Sequence, residues 1–401
     1  MRKNGPTAPA SLSPVGQASP YRSRQFLLLF AIALLAHFSN QILSFSLPNY
    51  AYTLGVSSRA VGILSGIYAL CALFLRPMTG QIIDNENHLA TLRLLLCLLL
   101  SAAVLLSFSD KYRELVVLRG VYGLAWGLGA TLCVSIAAGF FSPAAMAAGL
   151  GVFHLGQVAA QILGPAFALS IAERLGYQTL YRLNAGAVLL CLLISLFLGF
   201  DSGKQPKKKR SYSFRFRDVF FLPAVLPSAL LLCNSIARGA LTAFLSIFAG
   251  TLNVENIGLF FTLQAGVTLL LRPFLAKILR RFSERKVLFF CEILEGAALL
   301  VVAVSRSLWQ FLLAAVLLGA SFAGSQPILT AECVKFAPPE KRGRASNTCY
   351  AGMDIGVFLG SNLSGFLVTA VGYRLNFLLL ILPLAACSTV FFLLRRRKER
   401  G

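Results

Sequence analysis

The chain has 401 residues, of which 57% are hydrophobic and 13% are charged, and its mean hydropathy is +0.74. Soluble domains carry roughly 25% charged residues, so this composition excludes an ordinary soluble protein. Lys and Arg outnumber Asp and Glu by 37 to 15, which gives a formal net charge of +22. The basic residues lie between apolar runs and not along one helical face, so they do not indicate nucleic-acid binding. We therefore expect the lipid bilayer, and no nucleic acid, as a partner of the chain.

The first 25 residues are rich in Pro, Ser and Ala and contain basic residues but no acidic one. This composition predicts a disordered cytoplasmic tail over residues 1–25. The first apolar run after it is longer than the core of a signal peptide, and no clear small-residue cleavage site follows. We therefore expect no signal peptide.

Twelve apolar runs follow in chain order. Each is close to the 20 or so residues that a helix needs to cross about 30 Å of hydrocarbon, where only helices and closed barrels satisfy their backbone groups. The runs lie near residues 26–48, 59–82, 89–108, 115–138, 145–170, 180–200, 220–248, 256–279, 286–304, 308–333, 346–370 and 375–394. They predict an all-α integral membrane protein with 12 transmembrane helices and both termini on one side.

The basic residues between the runs predict the orientation. If the amino terminus is cytoplasmic, 25 Lys and Arg lie in cytoplasmic segments and 7 in external ones. Cytoplasmic segments of membrane proteins carry the excess of Lys and Arg. We therefore expect a multi-pass protein of the cytoplasmic membrane with both termini in the cytoplasm.

The two halves of the chain repeat each other at a constant offset. Leu75-Arg76-Pro77 recurs 196 residues later as Leu271-Arg272-Pro273. The same offset relates Gly62 to Gly258, Gly123 to Gly319, Phe140 to Phe336, Pro143 to Pro339, Gly156 to Gly352, Gly164 to Gly360, Gly176-Tyr177 to Gly372-Tyr373 and Cys191 to Cys387. A parallel repeat of six helices is a plan of secondary transporters. We predict pseudo-symmetric six-helix bundles at 26–200 and 219–394, a basic cytoplasmic linker at 201–218 and a basic cytoplasmic tail at 395–401.

Three motifs carry a resemblance to a known family. Gly80 precedes Asp84 after the second run, Arg119 precedes two glycines at four-residue steps, and Gly164-Pro165 lies in the fifth run. These segments resemble the major facilitator superfamily, and the Gly-Pro pair is similar to the signature of its proton-antiporting exporters. The resemblance covers about residues 25 to 394. It implies the major facilitator fold, in which the first, fourth, seventh and tenth helices line a central cavity.

Polar side chains in the runs are candidates for substrate binding. In the first run His37, Asn40 and Gln41 share one helical face, because they are spaced at i, i+3 and i+4. Such residues either hydrogen-bond a neighbouring helix or, as the resemblance implies, line the cavity. The same alternatives hold for polar residues in the fifth and seventh runs, which are His154, Gln157, Gln161, Asn234 and Arg238. We expect Arg238 above all to contact substrate or an acidic partner.

Arg119 is followed on its helical face by Tyr122 and Trp126. Arg119 lies near the outer end of its run, so its side chain either snorkels to the membrane surface or faces the cavity. The two aromatic rings either pack between helices or stack on an organic substrate.

Three acidic residues lie within apolar runs: Glu292, Glu295 and Asp354. Ionisable groups in membrane spans are costly and are functional candidates by default. We expect protons to be carried by Asp354 first, because the eleventh helix borders the cavity in the resembled fold, and His37 or His154 is the second choice. Glu292 and Glu295 are further candidates, although Glu292 is also placed to reach Arg285 or Lys286.

A second set of residues is predicted to gate the cavity. Asp84 lacks the basic residues that usually follow it in the family, and we expect it to hold the halves together near the positive end of the eleventh helix. The residues expected at this gate are Gly80, Asp84, Arg280, Arg281, Arg342, Arg344 and Glu332, the last pairing with loop arginines. Gly156 and Gly164 are expected to approach a helix of the other half, and Pro165 to loosen its helix.

Nine cysteines are scattered through the chain and never form a paired Cys-x-x-Cys spacing, which predicts neither a disulfide framework nor a zinc site. The sequence also lacks a nucleophile elbow, a phosphate loop, a zinc-protease motif and a dinucleotide fingerprint. We therefore expect no enzyme, no cofactor and no metal.

The expected function is secondary transport of a small organic molecule by alternating access, as proton-coupled export from a monomer. Proton-coupled uptake by symport is the alternative, followed by a channel or a receptor that does not transport. The first run contains no acid, whereas Arg119 and Arg238 are cations, so we expect a neutral or anionic substrate.

Overall fold

A computed structural model describes residues 20–142, 145–199, 220–335, 337–338 and 341–398. This part of the chain is all helical and contains no strand. Its α-helices are α1 (Arg24–Thr53), α2 (Ser58–Asn85), α3 (His88–Leu106), α4 (Tyr112–Ala138), α5 (Met146–Leu175), α6 (Tyr177–Leu196), α7 (Val225–Thr251), α8 (Gly258–Arg281), α9 (Glu284–Val304), α10 (Leu308–Lys335), α11 (Arg342–Leu379) and α12 (Ile381–Lys398). Short 3₁₀ turns at Pro20–Arg22 and Leu222–Ala224 precede α1 and α7.

The ends of the chain differ from the prediction in two places. α1 begins at Arg24, where the Ser23 hydroxyl accepts a hydrogen bond from the Phe26 amide at 3.2 Å and caps the helix. The predicted tail over 1–25 is therefore too long at its end. α12 continues to Lys398, so the expected tail at 395–401 begins as helix. The predicted linker at 201–218 lies outside the described residues.

Eleven segments of the described chain are long and apolar enough to cross a membrane. The last one, 344–393, has 50 residues, which would be about 75 Å of straight helix at 1.5 Å per residue, against about 30 Å of hydrocarbon. Gly372 breaks this segment with a φ of 80° and a ψ of 173°. Length and geometry therefore favour two crossings here, which would bring the number to the predicted twelve.

The backbone at Gly372 repeats the backbone at Gly176, 196 residues earlier. Gly176 separates α5 from α6 with a φ of 81° and a ψ of 161°. Both values lie in a region that glycine occupies without strain. The sequence repeat at the two Gly-Tyr pairs thus corresponds to the same turn between consecutive helices in each half.

Close helix contacts follow the same offset. A Cβ atom on Gly123 of α4 would lie 2.6 Å from the Tyr68 backbone on α2. A Cβ atom on Gly319 of α10 would lie 2.6 Å from the backbone oxygen of Gln264 on α8. Both the glycines and their partners differ by 196 in number. Small residues allow this approach, so α2–α4 and α8–α10 pack in the same way.

The two halves meet mainly where α2 packs on α11 and α5 packs on α8. A Cβ atom on Gly62 would lie 2.5 Å from the Ser361 backbone oxygen. The Thr262 hydroxyl donates to the Ile162 carbonyl at 2.7 Å. These contacts lie toward the end of the bundle that carries the α1–α2 and α7–α8 turns, opposite the chain termini. The bundle is therefore closed at the turn end.

The outer surface of the helices keeps large apolar side chains exposed. Phe74, Phe108 and Trp309 are 67%, 71% and 79% exposed. Apolar patches of this kind are unusual on a soluble protein and are compatible with contact to lipid. The chain is thus a multi-span membrane protein in contact with the bilayer.

Candidate substrate and proton sites

Tyr68 of α2 lies at the centre of the candidate substrate site. The Arg119 guanidinium of α4 lies 4.4 Å from the centre of its ring. Arg238 of α7 and Asp354 of α11 also lie within electrostatic range of Tyr68. One arginine of each half therefore acts on the same aromatic side chain, Arg119 by direct ring contact and Arg238 over a longer range.

Arg119 is buried, with only 1% of its surface exposed. Its Nη2 donates to the Ser44 hydroxyl of α1 at 2.8 Å, and Tyr68 and Tyr122 present ring faces to it. Its Nη1 has no hydrogen-bond partner, and no described carboxylate forms an ion pair with it. The alternative that Arg119 snorkels to the surface is therefore wrong. No negative charge of the described residues therefore compensates for the cost of burying this positive charge.

Arg238 is partly buried and lies over an aromatic ring in the second half. Its Cζ is 4.6 Å from the centre of the Phe322 ring on α10. Glu295 of α9 acts on it electrostatically, but no ion pair or hydrogen bond of Arg238 occurs within the described part of the chain. A guanidinium has five N–H donors, so Arg238 keeps free donors near the centre of the protein.

The two aromatic candidates on α4 do not face the centre. Tyr122 is fully buried, and its hydroxyl is hydrogen-bonded to the Ser39 hydroxyl at 2.8 Å. Trp126 lies edge to face against His37 with ring centres 4.7 Å apart, and both line a mostly apolar pocket between α1, α3, α4 and α5. The hypothesis that Tyr122 stacks on substrate is therefore corrected, because its ring packs inside the first half.

The polar residues predicted on one face of α1 have different surroundings in the structure. Asn40 is buried, and its Oδ1 has no partner. Gln41 packs against Gly164, whose Cβ would lie 2.6 Å from the Gln41 Cβ. Gly156 likewise approaches Phe30 of α1. Both glycines thus contact a helix of their own half, and the expectation that they approach the other half is wrong.

Polar residues of α5 and α8 form a separate group. His154 is exposed and hydrogen-bonded to Gln157, with Arg272 of α8 within electrostatic range. Arg272 donates from Nη2 to the Gln326 Oε1 of α10 at 3.2 Å. Gln161 is partly buried, and Pro165 lies inside α5 without ending the helix.

Asp354 forms an ion pair across the two halves. Its Oδ2 accepts a hydrogen bond from Nε of Arg76 on α2, and both side chains are about one-fifth exposed, at 19% and 22%. Arg76 was not among the predicted site residues, although the repeated Leu-Arg-Pro motif marked it. The proton-carrying role of Asp354 stays a prediction.

Glu292 and Glu295 face the interior of the second half. Asn234 of α7 donates to Glu292 Oε1 at 3.2 Å, and Ser388 of α12 donates to Oε2 at 3.2 Å. Ser321 of α10 donates to Glu295 Oε2 at 3.4 Å, whereas Glu295 Oε1 has no partner. Glu292 therefore contacts Asn234 and Ser388 in place of Arg285 or Lys286. Residues three apart on a helix have Cβ atoms about 5 to 6 Å apart, and two like charges at that separation repel by about 3 kcal/mol at an effective dielectric constant of about 20.

The predicted gate is described only in part. Glu332 pairs with Lys335 on its own helix at 3.5 Å, and its expected pairing with loop arginines stays a prediction. Arg280 and Arg281 are exposed at the end of α8, and Arg344 lies in the first turn of α11. The surroundings of Gly80, Asp84 and the Arg342 side chain lie outside the described residues. The gate stays a prediction.

Two bundles of membrane helices, with charged side chains buried within them and between them, define a membrane transporter. The chain belongs to the Major Facilitator Superfamily, whose family model matches residues 29–255 and again 227–401. The resemblance inferred from the three sequence motifs is thereby confirmed.

Known relatives match the chain over nearly its whole length. The Staphylopine export protein of Staphylococcus aureus is 24% identical over 371 residues, which covers 88% of this chain and 92% of that protein. The Multidrug resistance protein MdtG of Escherichia fergusonii is 24% identical over 374 residues, covering 88% of this chain and 90% of that protein.

Solved structures share the fold at low sequence identity. A POT family transporter in complex with 5-aminolevulinic acid matches with a TM-score of 0.78 and 15% identity, covering 92% of this chain and 96% of that one. A bacterial homolog of the human lysosomal transporter Spinster, in an inward-facing and unoccupied conformation, matches with a TM-score of 0.73 and 15% identity, covering 95% and 98%.

Proposed function

We propose that the protein exports a small organic anion across the cytoplasmic membrane by alternating access, coupled to protons. The proposal of an anionic substrate rests on two arginines, Arg119 in contact with the Tyr68 ring and Arg238 within electrostatic range of it. Arg119 has a buried Nη1 without a partner, and Arg238 makes no hydrogen bond or ion pair within the described chain. Export is supported by the names of the two relatives, an export protein and a multidrug resistance protein.

Charge and hydrogen bonding both favour an anion at this place. A carboxylate or phosphate accepts two parallel N–H bonds from a guanidinium, and such charge-assisted bonds are roughly twice as strong as neutral ones. A cationic substrate would instead meet two positive groups at low dielectric. Because one arginine comes from each half, an anion contacting both would bind only when the halves are suitably placed. This is the differential contact that alternating access requires.

The described conformation supports an inward-facing state. Close contacts between the halves lie toward the turn end, including Asn49 of α1, which donates to the Ser246 hydroxyl of α7 at 2.7 Å. The Arg76–Asp354 pair joins the halves nearer the terminal end. With both termini in the cytoplasm, as the basic residues predict, the turn end is external. The matching Spinster homolog is itself inward-facing. We propose this orientation, and a monomer, for the working protein.

Proton coupling is proposed at the ion pair between Arg76 and Asp354. A proton on Asp354 removes the negative charge of the pair and weakens the attraction between α2 and α11. Because these helices belong to different halves, protonation would bias the equilibrium between the two conformations. His37 and His154 remain second choices for the same role.

Uptake by symport is the second candidate, and one observation favours it. Arg238 is the cation that acts on Glu295 in the second half. An anion that draws Arg238 toward itself leaves Glu295 with less positive charge nearby and so favours its protonated form. Anion and proton would then bind together, as in a symporter.

The test uses purified protein in proteoliposomes. Ligands are first found by thermal shift with a panel of carboxylates, organic phosphates, neutral sugars and organic cations. An acidic compartment on the external side should drive flux of the anion found outward, and Arg238→Ala should weaken its binding about 10- to 100-fold, the loss of one charged hydrogen bond. Arg306→Ala in the exposed α9–α10 turn is the control. Flux in the direction of the proton gradient supports symport, binding of cations alone contradicts the anion, and flux without dependence on pH contradicts proton coupling.

A further inference from the structure

A second site lies inside the second half, away from the contact between the halves. Glu292 and Glu295 lie three residues apart on α9 and thus on one helical face. Their side chains point into a compartment formed by α7, α10 and α12, which supply Asn234, Ser321 and Ser388. Glu292 is 5% exposed and Glu295 is fully buried. The compartment is therefore shielded from both water and lipid.

Hydrogen-bond donors are missing at this site. Glu292 accepts one donor on each carboxyl oxygen, from Asn234 and Ser388. Glu295 accepts only a long bond from Ser321, and its Oε1 has no donor. The Oδ1 of Asn234, whose amide nitrogen already donates to Glu292, is also buried without a donor. Buried polar atoms are almost always paired, so two orphaned acceptors at one acidic site indicate a missing donor.

We propose that this compartment is a proton-binding site, in which Glu295 carries an exchangeable proton at neutral pH. A protonated carboxyl carries one O–H donor, and donors are what this site lacks. It also leaves a single negative charge on the pair, because two adjacent carboxylates in an apolar compartment do not both ionise readily. Glu292, with two donors, is the member that stays ionised.

A proton fits this site better than a metal ion. Within the described chain, no three side chains of His, Cys, Asp or Glu are grouped so as to hold a metal. A proton supplies a hydrogen-bond donor without requiring space between the helices. The other titratable or charged groups that act on the two acids, or on which they act, are Arg238 and Cys233 of α7, Cys291 of α9 and Cys387 of α12. Arg238 is the one cation among these groups.

Arg238 connects the proton site to the proposed substrate site. It lies one turn from Asn234 on α7 and is electrostatically coupled to Glu295, while its guanidinium also lies within range of Tyr68. Movement of Arg238 toward a bound anion would strengthen the hold of Glu295 on its proton. This link rests on the symport candidate of the proposed function, because anion and proton would bind together, whereas the protonation of Glu295 does not rest on it.

The test is infrared spectroscopy of the full-length protein in lipid nanodiscs. This method detects protonated carboxyl groups directly and does not depend on transport activity. At pH 7 we expect a C=O stretching band of a buried protonated carboxyl that moves in D₂O, because the proton exchanges. Glu295→Gln should remove this band, and Glu255→Gln, in the exposed α7–α8 turn, should leave it unchanged. Glu292→Gln should shift the band but keep it. A band insensitive to Glu295→Gln overturns the proposal, and so does a band that disappears when sodium is added at constant pH.

A second variant keeps the test decisive if Glu295→Gln does not fold. Ser321→Ala removes the one donor of Glu295 and should shift the band, whereas Ser364→Ala, at another buried serine on α11, should not. Equal spectra for the two serine variants would contradict the assignment to Glu295.

Transport measurements then separate this proposal from the previous one. A Glu295 band in a protein that moves no anion leaves the proton site intact and rejects the transport proposal. Proton-coupled flux in a protein that lacks the band rejects the site and leaves the coupling to the Arg76–Asp354 pair or to His37 and His154.

Discussion

The two halves of the molecule share their helix packing but bury opposite charges. The first half buries Arg119 between tyrosine rings, and no described acid pairs with it. The second half buries Glu292 and Glu295 behind Arg238. Gly123 and Gly319, which lie at equivalent positions, by contrast make equivalent helix contacts in the two halves. The packing of the helices follows the 196-residue repeat, whereas the positions of the buried charged residues do not.

Residues at the equivalent positions make the difference explicit. At an offset of 196, Arg119 corresponds to Ala315, and Glu292 and Glu295 correspond to Leu96 and Leu99. Apolar side chains therefore suffice for the fold at these places. A charge in a membrane span costs about 2.5 to 3.5 kcal/mol on insertion scales, so its presence in one half alone points to function and not to packing.

The largest effect is expected at a pair of equivalent glycines. Gly360→Ala would place a Cβ 2.0 Å from the Ile236 backbone oxygen, whereas Gly164→Ala would meet the Gln41 side chain at 2.6 Å. Backbone cannot yield as a side chain can, so Gly360→Ala should lower the free energy of unfolding by about 3 kcal/mol or more and Gly164→Ala by about 1 kcal/mol. Unfolding in mixed micelles measures both.

Gly266→Ala serves as the control for this pair. Gly266 lies within α8 and a Cβ there meets nothing within 4 Å. Alanine is the better helix former by about 1 kcal/mol, so the variant should be as stable as the parent or more stable. Equal losses at Gly360 and Gly164 would show that the halves pack alike at this contact as well.

Removal of the buried cation should affect function and not stability. Arg119→Met loses a hydrogen bond of about 1.5 to 3 kcal/mol to Ser44 but also removes a charge that costs a similar amount in the membrane. Thermal unfolding should therefore change by no more than about 1 kcal/mol, while anion binding falls at least about tenfold. A large loss of stability would mean that Arg119 stabilises the first half. The different buried charges of the two halves would then serve the fold and not the function.

The ion pair between the halves should have a smaller effect. Asp354→Asn and Arg76→Gln should each cost about 1 to 2 kcal/mol, because both side chains are partly exposed, and the double variant should cost little more than either one. Spin labels at 87 and 341, at the terminal end of the bundle, should show a longer or broader distance distribution in Asp354→Asn. An unchanged distribution would falsify the idea that this pair restrains the halves.

The fold and the site differ in how far the sequence predicts them. Run length and the 196-residue offset depend on local composition, and they predicted the helices and the matching turns at Gly176 and Gly372. The neighbours of a polar side chain depend on helix rotation, which sequence spacing does not determine. The sequence therefore left open whether Tyr122 packs or stacks on substrate, and its ring lies inside the first half.

The sequence also could not predict the ion pair between the two halves. Arg76 and Asp354 are 278 residues apart, and nothing in the local pattern of either run indicates the other. The repeated Leu-Arg-Pro motif marked Arg76 as unusual, but its second copy, Arg272, contacts Gln326 and not an acid. The repeat thus identified a position that matters without identifying its partner.

The prediction with the smallest expected effect concerns membrane orientation. It tests whether both halves are inserted with the same orientation, as the comparison of the two halves assumes. Cysteines are introduced singly on a cysteine-free background at Arg59, at Glu255, which lies 196 residues further on, and at Lys208 in the linker. Arg59, in the first turn of α2, and Glu255, in the α7–α8 turn, are both exposed. The changes should therefore cost no more than about 1 kcal/mol, mainly the contact of the Arg59 guanidinium with the Phe366 ring at 4.8 Å. An impermeant thiol reagent added to intact cells should label 59 and 255 equally and leave 208 unlabelled until the cells are opened. Labelling of 208 in intact cells would reverse the orientation predicted from the basic residues. Labelling of 59 but not 255 would mean that the halves are inserted in opposite orientations, and their matching glycine contacts would then need another cause than a parallel repeat.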